Sequence, residues 1–144
     1  MKLIGFNFKK ISAEKIKNIS GKIDVKANID VLNIKEVNSD IFNKSKENLL
    51  GVDFIYFINY ELGFAKIELK GDLLLSVDSK ETKEILKNWE DKKMPDNFKV
   101  DLFNIILMKT TVKTLQLEEE IGLPAHVSLP KIESNKDNKD NKDL

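Results

Sequence analysis

The sequence predicts an α+β fold, in which a four-stranded antiparallel sheet is followed by a short and a long C-terminal helix packed on one face. Three observations support this prediction. Apolar and polar residues alternate through the first half of the chain, as in strands, and the period becomes helical after Val77. All three prolines follow the strand patterns. Strands followed by helices are typical of α+β domains rather than of repeating βαβ units.

The stretch Leu49–Val77 predicts a hairpin of two long strands around Gly63. Each strand has a continuous apolar face, and Ile55 and Phe57 make the second face of the first strand partly apolar. Such a hairpin needs cover on both sides. Gly71 lies within the second strand and indicates either a kink or a close approach of another backbone segment.

Two further strands are predicted before this hairpin. Residues alternate in Met1–Ile11 and, most regularly, in Lys22–Val31, while Ser12–Ser20 fits either a longer first strand or a turn of helix. The apolar positions change parity at Leu32. This change predicts either a β-bulge near Val31–Leu32 or a strand that changes the surface it covers.

Two segments combine apolar side chains with loop signals. Asn38–Asn48 is polar except for Ile41 and Phe42, so we predict a loop whose apolar pair is either tucked in or available to a partner. Leu123–Ile132 contains two prolines, which favour an extended conformation. The apolar residues of this second segment need a surface on which to lie.

The first helix is predicted from Asp78 and Glu81, which have the spacing of a capping box. An apolar stripe that ends at Trp89 supports the same prediction. We expect Pro95 to end this helix. Core or interface packing explains Trp89 better than a role as a ligand platform does.

The second helix is predicted from about Phe98 to Ile121, with Asp96 or Asn97 as its cap and Gly122 as its stop. Apolar residues surround most of its circumference, so we expect burial on two sides, by the sheet and by another subunit. The candidate residues for this oligomer interface are Phe103, Ile106 and Leu107. Acidic residues 118–120 lie where the helix dipole disfavours them, which indicates either an earlier helix end or an acidic docking patch.

The length of 144 residues fits one domain. We assign residues 1–133 to a single α+β domain and residues 134–144, a repeated Lys-Asp-Asn tract, to a disordered tail. The chain has no cysteine, no apolar stretch of a secretory signal at its N-terminus and no apolar run that could span a bilayer. We therefore expect a cytoplasmic protein without stable membrane insertion.

Few residues indicate chemistry. All 24 basic residues are lysines spread among acidic ones, so the arginine forks that favour nucleic-acid recognition are absent. His126 is the only histidine, and we interpret it as a partly exposed loop residue because one imidazole without cysteine partners is a poor zinc site. The glycines are isolated, and no serine has a nucleophile-elbow context. We predict no enzyme activity, no cofactor, no metal and no nucleic-acid partner.

Three motifs stand out between about Gly71 and Ile132: the strand end Lys70-Gly71-Asp72-Leu73-Leu74, the helix entry Pro95-Asp96-Asn97-Phe98 and the Pro/Leu loop Gly122-Leu123-Pro124-Ala125-His126-Val127-Ser128-Leu129-Pro130. With these motifs the chain resembles the SecB family of export chaperones. The resemblance implies a SecB-like fold, a homo-oligomer built as a dimer or as a dimer of dimers (a homotetramer), and ATP-independent binding of unfolded preproteins in hydrophobic grooves. Two features depart from the family: the Lys-Asp-Asn tail replaces its last helix, and the chain is neutral where bacterial members are acidic.

We therefore predict an ATP-independent holdase chaperone that binds unfolded or pre-export polypeptides. The alternatives are an oligomeric protein-interaction module without chaperone activity, a chaperone of the toxin–antitoxin type and, more weakly, a small-ligand or lipid carrier with an apolar cavity between the sheet and the long helix. The candidate polypeptide-binding residues are Ile41, Phe42, Ile55, Phe57, Leu123, Val127 and Leu129.

Overall fold

The computed structural model describes residues 1–18, 21–38 and 47–134, which form one four-stranded antiparallel sheet followed by two helices. The elements are β1 (Lys2–Lys15), β2 (Val25–Val37), β3 (Glu47–Tyr60), β4 (Ala65–Asp78), α1 (Ser79–Trp89) and α2 (Asp96–Ile121). The strand order is β1-β4-β3-β2, so β1 and β2 are the edge strands. The predicted fold class is confirmed. The apolar pair Ile41 and Phe42 and residues 135–144 of the predicted tail lie outside the described residues.

The central hairpin pairs β3 with β4 in a register that collects the apolar residues on one face. Tyr56 faces Leu69, and Val52 faces Leu73 across the two strands. All four of these side chains are buried, because both helices cover this face of the sheet. Gly63 forms part of the turn with a φ of 68°, in the left-handed region that favours glycine. The turn therefore sets the register, and the register sets the buried face.

Gly71 marks a close approach of two neighbouring strands. A Cβ atom at this position would lie 2.4 Å from the backbone oxygen of Asn7 and 2.9 Å from Cζ of Phe54. Phe54 stands opposite Gly71 in the β3–β4 register, and its ring packs against the ring of Phe6 on β1. The glycine thus makes room for a buried aromatic ring, as one of the two sequence-based alternatives predicts.

The edge strands are longer than the predicted segments. β1 continues to Lys15, so residues 12–15 prolong the strand rather than start a helix. β2 begins at Val25 and continues to Val37, with a register shift against β3 between Val31 and Asn33. This shift agrees with the first of the two predicted alternatives, a β-bulge near Val31–Leu32, and Ile34 beyond it is buried with the core.

The connection from β1 to β2 crosses the turn end of the central hairpin. Ile16 donates its backbone N–H to the oxygen of Phe64 at 2.8 Å, and Glu61 donates to the oxygen of Asp24 at the same distance. The carboxylate of Glu61 in turn accepts from the backbone N–H of Asp24. These bonds fix the crossing chain to the hairpin turn.

The helix boundaries confirm one predicted cap and correct two other predictions. Asp78 accepts a hydrogen bond from the backbone N–H of Glu81 at 2.7 Å, as the capping spacing predicts. α1 ends at Trp89, before Pro95, because the chain turns away through Lys92 at a φ of 58°. In the described residues no side chain caps α2, which starts at Asp96 directly after Pro95, so the expected cap by Asp96 or its neighbour is wrong. A proline supplies a fixed φ suited to a helix start.

α2 packs on the sheet through residues spaced four apart. The buried residues of this inner face are Phe98, Leu102, Ile106, Thr110, Thr114 and Glu118. Gly122 ends the helix in the left-handed conformation, at a φ of 68°, as predicted. Neither helix of the described region is long and apolar enough to cross a membrane.

Candidate functional site

The side of α2 that points away from the sheet is largely apolar. Val100, Met108 and Val112 are 58%, 61% and 57% exposed, and together with Asn104 they form one row spaced four residues apart. Leu107 is exposed beside this row, and Phe103 is half-buried. We call this surface the outer face of α2; its members are Val100, Phe103, Leu107, Met108 and Val112. In one copy of the chain this surface faces solvent.

Two of the three predicted interface residues belong to the outer face. Phe103 and Leu107 lie on it, whereas Ile106 is fully buried in the core of the subunit, on the inner face. The difference follows from the helical period, since neighbouring residues on a helix differ by about 100° in direction. The role of these residues in assembly stays a prediction.

The sheet face opposite the helices holds the predicted residues Ile55 and Phe57. Both are half-buried, and together with Asn59, Lys66 and Glu68 they line a shallow pocket of ≈ 240 Å³. We call this surface the open face of the sheet. An apolar floor within a polar rim suits an apolar side chain of a bound polypeptide.

Ion pairs cover another part of the open face, near β1. Lys9 contacts Asp72 at 2.9 Å, and Lys10 pairs with Glu68. The hydrogen bond to Asp72 and its charge raise the pKa of Lys9 above its usual value. The hydrogen bond from Lys10 lowers the pKa of Glu68. The lysines are exposed and the carboxylates are partly exposed, so these pairs contribute modestly to stability and restrict the apolar area of the open face.

The extended C-terminal segment, residues 123–134, lies beside the end of α2. Leu123 is buried in the core, whereas Val127 and Leu129 are exposed. Leu129 lines a pocket of ≈ 300 Å³ together with Leu115 and Glu119 of α2. Leu123 therefore anchors the segment, and Val127 and Leu129 remain as candidate contacts for a polypeptide.

A buried cluster of three polar side chains fastens this segment to the domain. The Nδ1 atom of His126 lies 2.9 Å from Oε1 of Glu118, and these two side chains are only 4% and 2% exposed. The Tyr60 hydroxyl hydrogen-bonds the other carboxylate oxygen of Glu118 and lies 3.1 Å from the backbone oxygen of Pro124. Burial, and then the nearby Glu118 carboxylate, raise the pKa of Tyr60 above its usual value. The cluster thus ties β3, α2 and the C-terminal segment together.

This cluster adds to one expectation from the sequence and corrects another. His126 lies in a loop and is partly exposed as a residue, as predicted, but its side chain is nearly fully buried and has an acidic partner, which was not predicted. Helix α2 continues through Glu118, whose side chain points inward, so neither an early helix end nor a docking patch of all three acids is correct. The sequence contained a signal for the inward direction of Glu118, because this residue continues the four-residue spacing of inner-face residues that starts at Phe98.

The cluster joins three parts of the fold through one carboxylate, one phenol and one imidazole. No group of three or more histidine, cysteine, aspartate or glutamate side chains could hold a metal ion within the described ranges. Each oxygen of Glu118 is engaged by Tyr60 or His126. A carboxylate satisfied in this way positions its partners.

No family model matches the chain, and no curated protein matches it either. Among solved structures, the chain is similar to the Mycobacterium tuberculosis SecB-like chaperone Rv1957 in complex with a ChAD peptide from the Rv1956 HigA1 antitoxin. The sequence identity is 11%, the match covers 91% of this chain and 90% of that chain, and the TM-score is 0.47.

Proposed function

We propose that this protein is an ATP-independent holdase chaperone that binds unfolded or pre-export polypeptides and assembles with copies of itself. The observation that supports this most directly is the exposed apolar surface at three separate places of the described chain. These places are the outer face of α2, the open face of the sheet and the exposed part of the C-terminal segment. A second copy packed on the outer face of α2 would cover the first of these surfaces. The open face of the sheet and the exposed part of the C-terminal segment would then remain available to clients.

The energetics require several apolar contacts per client. Burying one large apolar side chain contributes roughly 1.5–3 kcal/mol. Micromolar binding needs about 8 kcal/mol net, and association and chain ordering add further costs. A client must therefore bury about five to eight side chains. The two pockets beside Phe57 and Leu129 together offer a few such positions, and an assembly of several subunits multiplies them.

The direct test is suppression of aggregation. Light scattering of a neutral, chemically denatured client is followed with and without stoichiometric protein, in the absence of nucleotide. We expect scattering to fall in proportion to the added protein. Unchanged scattering would rule out the holdase function.

Matched variants locate the client surface. Replacing Ile55 and Phe57 together by Gln removes the apolar floor of one pocket, and Lys66→Gln alters its rim without changing the floor. In the C-terminal segment, Leu129→Gln is compared with Ser128→Gln, since both residues are exposed. We expect the apolar replacements to weaken suppression several-fold and the two controls to leave it unchanged.

One observation favours a second candidate, an oligomeric interaction module without chaperone activity. The outer face of α2 is the most exposed apolar surface of the described helices, and a second copy could bury it. An apolar dye separates the two candidates, because it binds an assembled oligomer only if client surface remains free. The cytoplasmic location and the link to export stay predictions.

A further inference from the structure

A groove that adjoins the outer face of α2, and shares Phe103 with it, lies between edge strand β2 and the chain from the end of α1 to the start of α2. Its volume is ≈ 390 Å³. One wall is formed by residues 29–32 of β2, and the other contains Trp89, Met94 and Phe103. Among the described strands β2 pairs with β3 alone, so its outer backbone edge has no strand partner there. We call this site the β2 groove.

Two lysines give the aromatic wall of the β2 groove a positive charge. The ammonium group of Lys92 lies 4.8 Å from the ring centroid of Trp89, and that of Lys99 lies 5.7 Å from the ring of Phe103. Within the described residues neither lysine forms an ion pair. The opposite wall contributes one carboxylate, Asp30, so positive charge is in excess.

Both ammonium groups remain available to a ligand. An exposed cation–π contact is worth only about 0.5–1 kcal/mol, so an incoming carboxylate can attract the lysines away from the rings or bind them in place. The rings then offer apolar area at the same point. A ligand that matches this wall therefore combines carboxylates with apolar side chains.

The edge strand indicates the shape of the ligand. Free N–H and C=O groups of an edge strand pair readily with an extended segment, whose alternate side chains then face the adjoining pocket. The bulge between Val31 and Asn33 twists this edge and limits regular pairing to a short stretch. A short segment suits the site better than a long strand or a second sheet does.

We propose that the β2 groove docks a short, extended, acidic segment of a partner protein. The segment lies along β2, with apolar side chains against Trp89 and Phe103 and carboxylates beside Lys92 and Lys99. This site goes beyond the proposed holdase function. It selects for charge, whereas the pockets of the open face and of the C-terminal segment accept apolar side chains of any client.

Trp89 is the only tryptophan of the chain, so its fluorescence reports on the β2 groove directly. The full-length protein is titrated at low ionic strength with a synthetic peptide of about eight residues, which spans roughly 26 Å when extended. The peptide carries glutamate and then leucine or phenylalanine at every second position, with serine between them, so that carboxylates and apolar side chains lie on the same face of the extended chain. Two control peptides carry lysine or glutamine in place of glutamate. We expect a saturable change in emission with the acidic peptide alone, and weaker binding as salt is added.

A double variant tests the role of the two lysines. Lys92→Gln with Lys99→Gln removes both positive charges of the groove, and Lys80→Gln with Lys83→Gln removes two positive charges from exposed positions of α1 outside the groove. Each exposed ion pair contributes modestly, so we expect the groove variant to bind roughly 3- to 30-fold more weakly. The control variant should bind as the wild type does.

Three outcomes would overturn the proposal. The first is equal binding of the basic or neutral peptide, and the second is an equal loss in the control variant. The third is a change of Trp89 emission on dilution of a Met108→Asp variant, whose outer face of α2 cannot bind a second copy, because such a change would place a copy in the groove itself. The aggregation assay uses a neutral client, so failure there and failure here are separate results.

Discussion

The inner and outer faces of α2 invert the usual distribution of polar and apolar residues in the second half of the helix. Thr114 and Glu118 on the inner face are buried, whereas Met108 and Val112 on the outer face are more than half exposed. A surface helix of a self-sufficient domain normally shows the opposite pattern. The comparison indicates that hydrogen-bond partners, rather than low polarity, allow Glu118 to be buried on the inner face. It also indicates that the outer face needs an apolar surface to pack against, which a single copy does not provide.

The inner face itself changes character along the helix. Phe98, Leu102 and Ile106 are apolar and enter the main core. Thr110 satisfies its hydroxyl on the backbone oxygen of Ile106 at 2.8 Å, and Glu118 is engaged by Tyr60 and His126. Apolar packing therefore holds the first half of the inner face. In the second half the contacts of Glu118 with Tyr60 and His126 hold the helix to the domain, whereas the Thr110 hydroxyl bonds only within α2.

The largest effect is expected in the apolar half of the inner face. Leu102→Ala leaves a cavity between α2 and the sheet, because the side chain is fully buried. We expect the free energy of unfolding to fall by about 2–5 kcal/mol. Urea denaturation of a dilute sample measures this loss. Val100→Ala is the control, and a loss of the same size there would remove the distinction between the two faces.

The next effect concerns the polar half. Glu118→Ala leaves the buried His126 ring without its partner and leaves the Tyr60 hydroxyl only the backbone oxygen of Pro124, so we expect a loss of about 1–3 kcal/mol in the free energy of unfolding. Its neighbour Glu119 is exposed, and Glu119→Ala should change stability by less than about 0.5 kcal/mol. Equal losses in the two variants would show that Glu118 is not held as described.

The sequence predicted features that depend on local spacing. Asp78 as a cap and Gly122 as a helix stop follow from nearest neighbours or from the preference of one residue for one conformation. The register shift after Val31 and the close approach at Gly71 each agree with one of the two alternatives that the sequence left open. The alternation of apolar and polar residues was sufficient to predict the strands of the sheet, because each strand of an α+β domain buries one of its two faces.

The sequence did not predict contacts that depend on the path of the chain. Tyr60 and Glu118 are 58 residues apart, and nothing near either residue identifies the other. The β2 groove likewise combines one edge strand with the α1–α2 connection, so its lysines become neighbours of Asp30 only after folding. Which residues of α2 face the sheet depends on the angle at which the helix packs across it. Ile106 and Phe103 are both apolar, so composition alone could not show that Ile106 faces the core and Phe103 the outer face.

A smaller, pH-dependent effect tests the polar half further. The pKa of Tyr60 is raised from its usual value of 10.0 by burial and by Glu118, so the folded state keeps the phenol proton at a pH where the unfolded state loses it. The stabilisation is fully present below about pH 10 and is lost as pH rises towards the folded-state pKa. We expect the stability advantage of the wild type over Tyr60→Phe to shrink by up to about 1.4 kcal/mol per pH unit above pH 10.

Urea denaturation of both proteins at three pH values between about 9 and 11 measures this change. The lysines titrate in wild type and variant alike, so the difference between the two proteins isolates the tyrosine. A difference that stays constant with pH would show that the Tyr60 hydroxyl ionises as freely in the folded chain as in the unfolded one.

The smallest effect on the stability of a single copy is expected on the outer face of α2. Met108 is exposed, so Met108→Asp should change the free energy of unfolding of a dilute monomer by less than about 0.5 kcal/mol. The same carboxylate in a dry interface would lack a partner and be costly to bury. We therefore expect this variant to lose self-association in sedimentation experiments while its melting temperature at low concentration is unchanged. Asn104→Asp, in the same row, adds the same charge without removing apolar area. A variant at Met108 that still assembles would place the subunit contact elsewhere and leave the outer face as client surface.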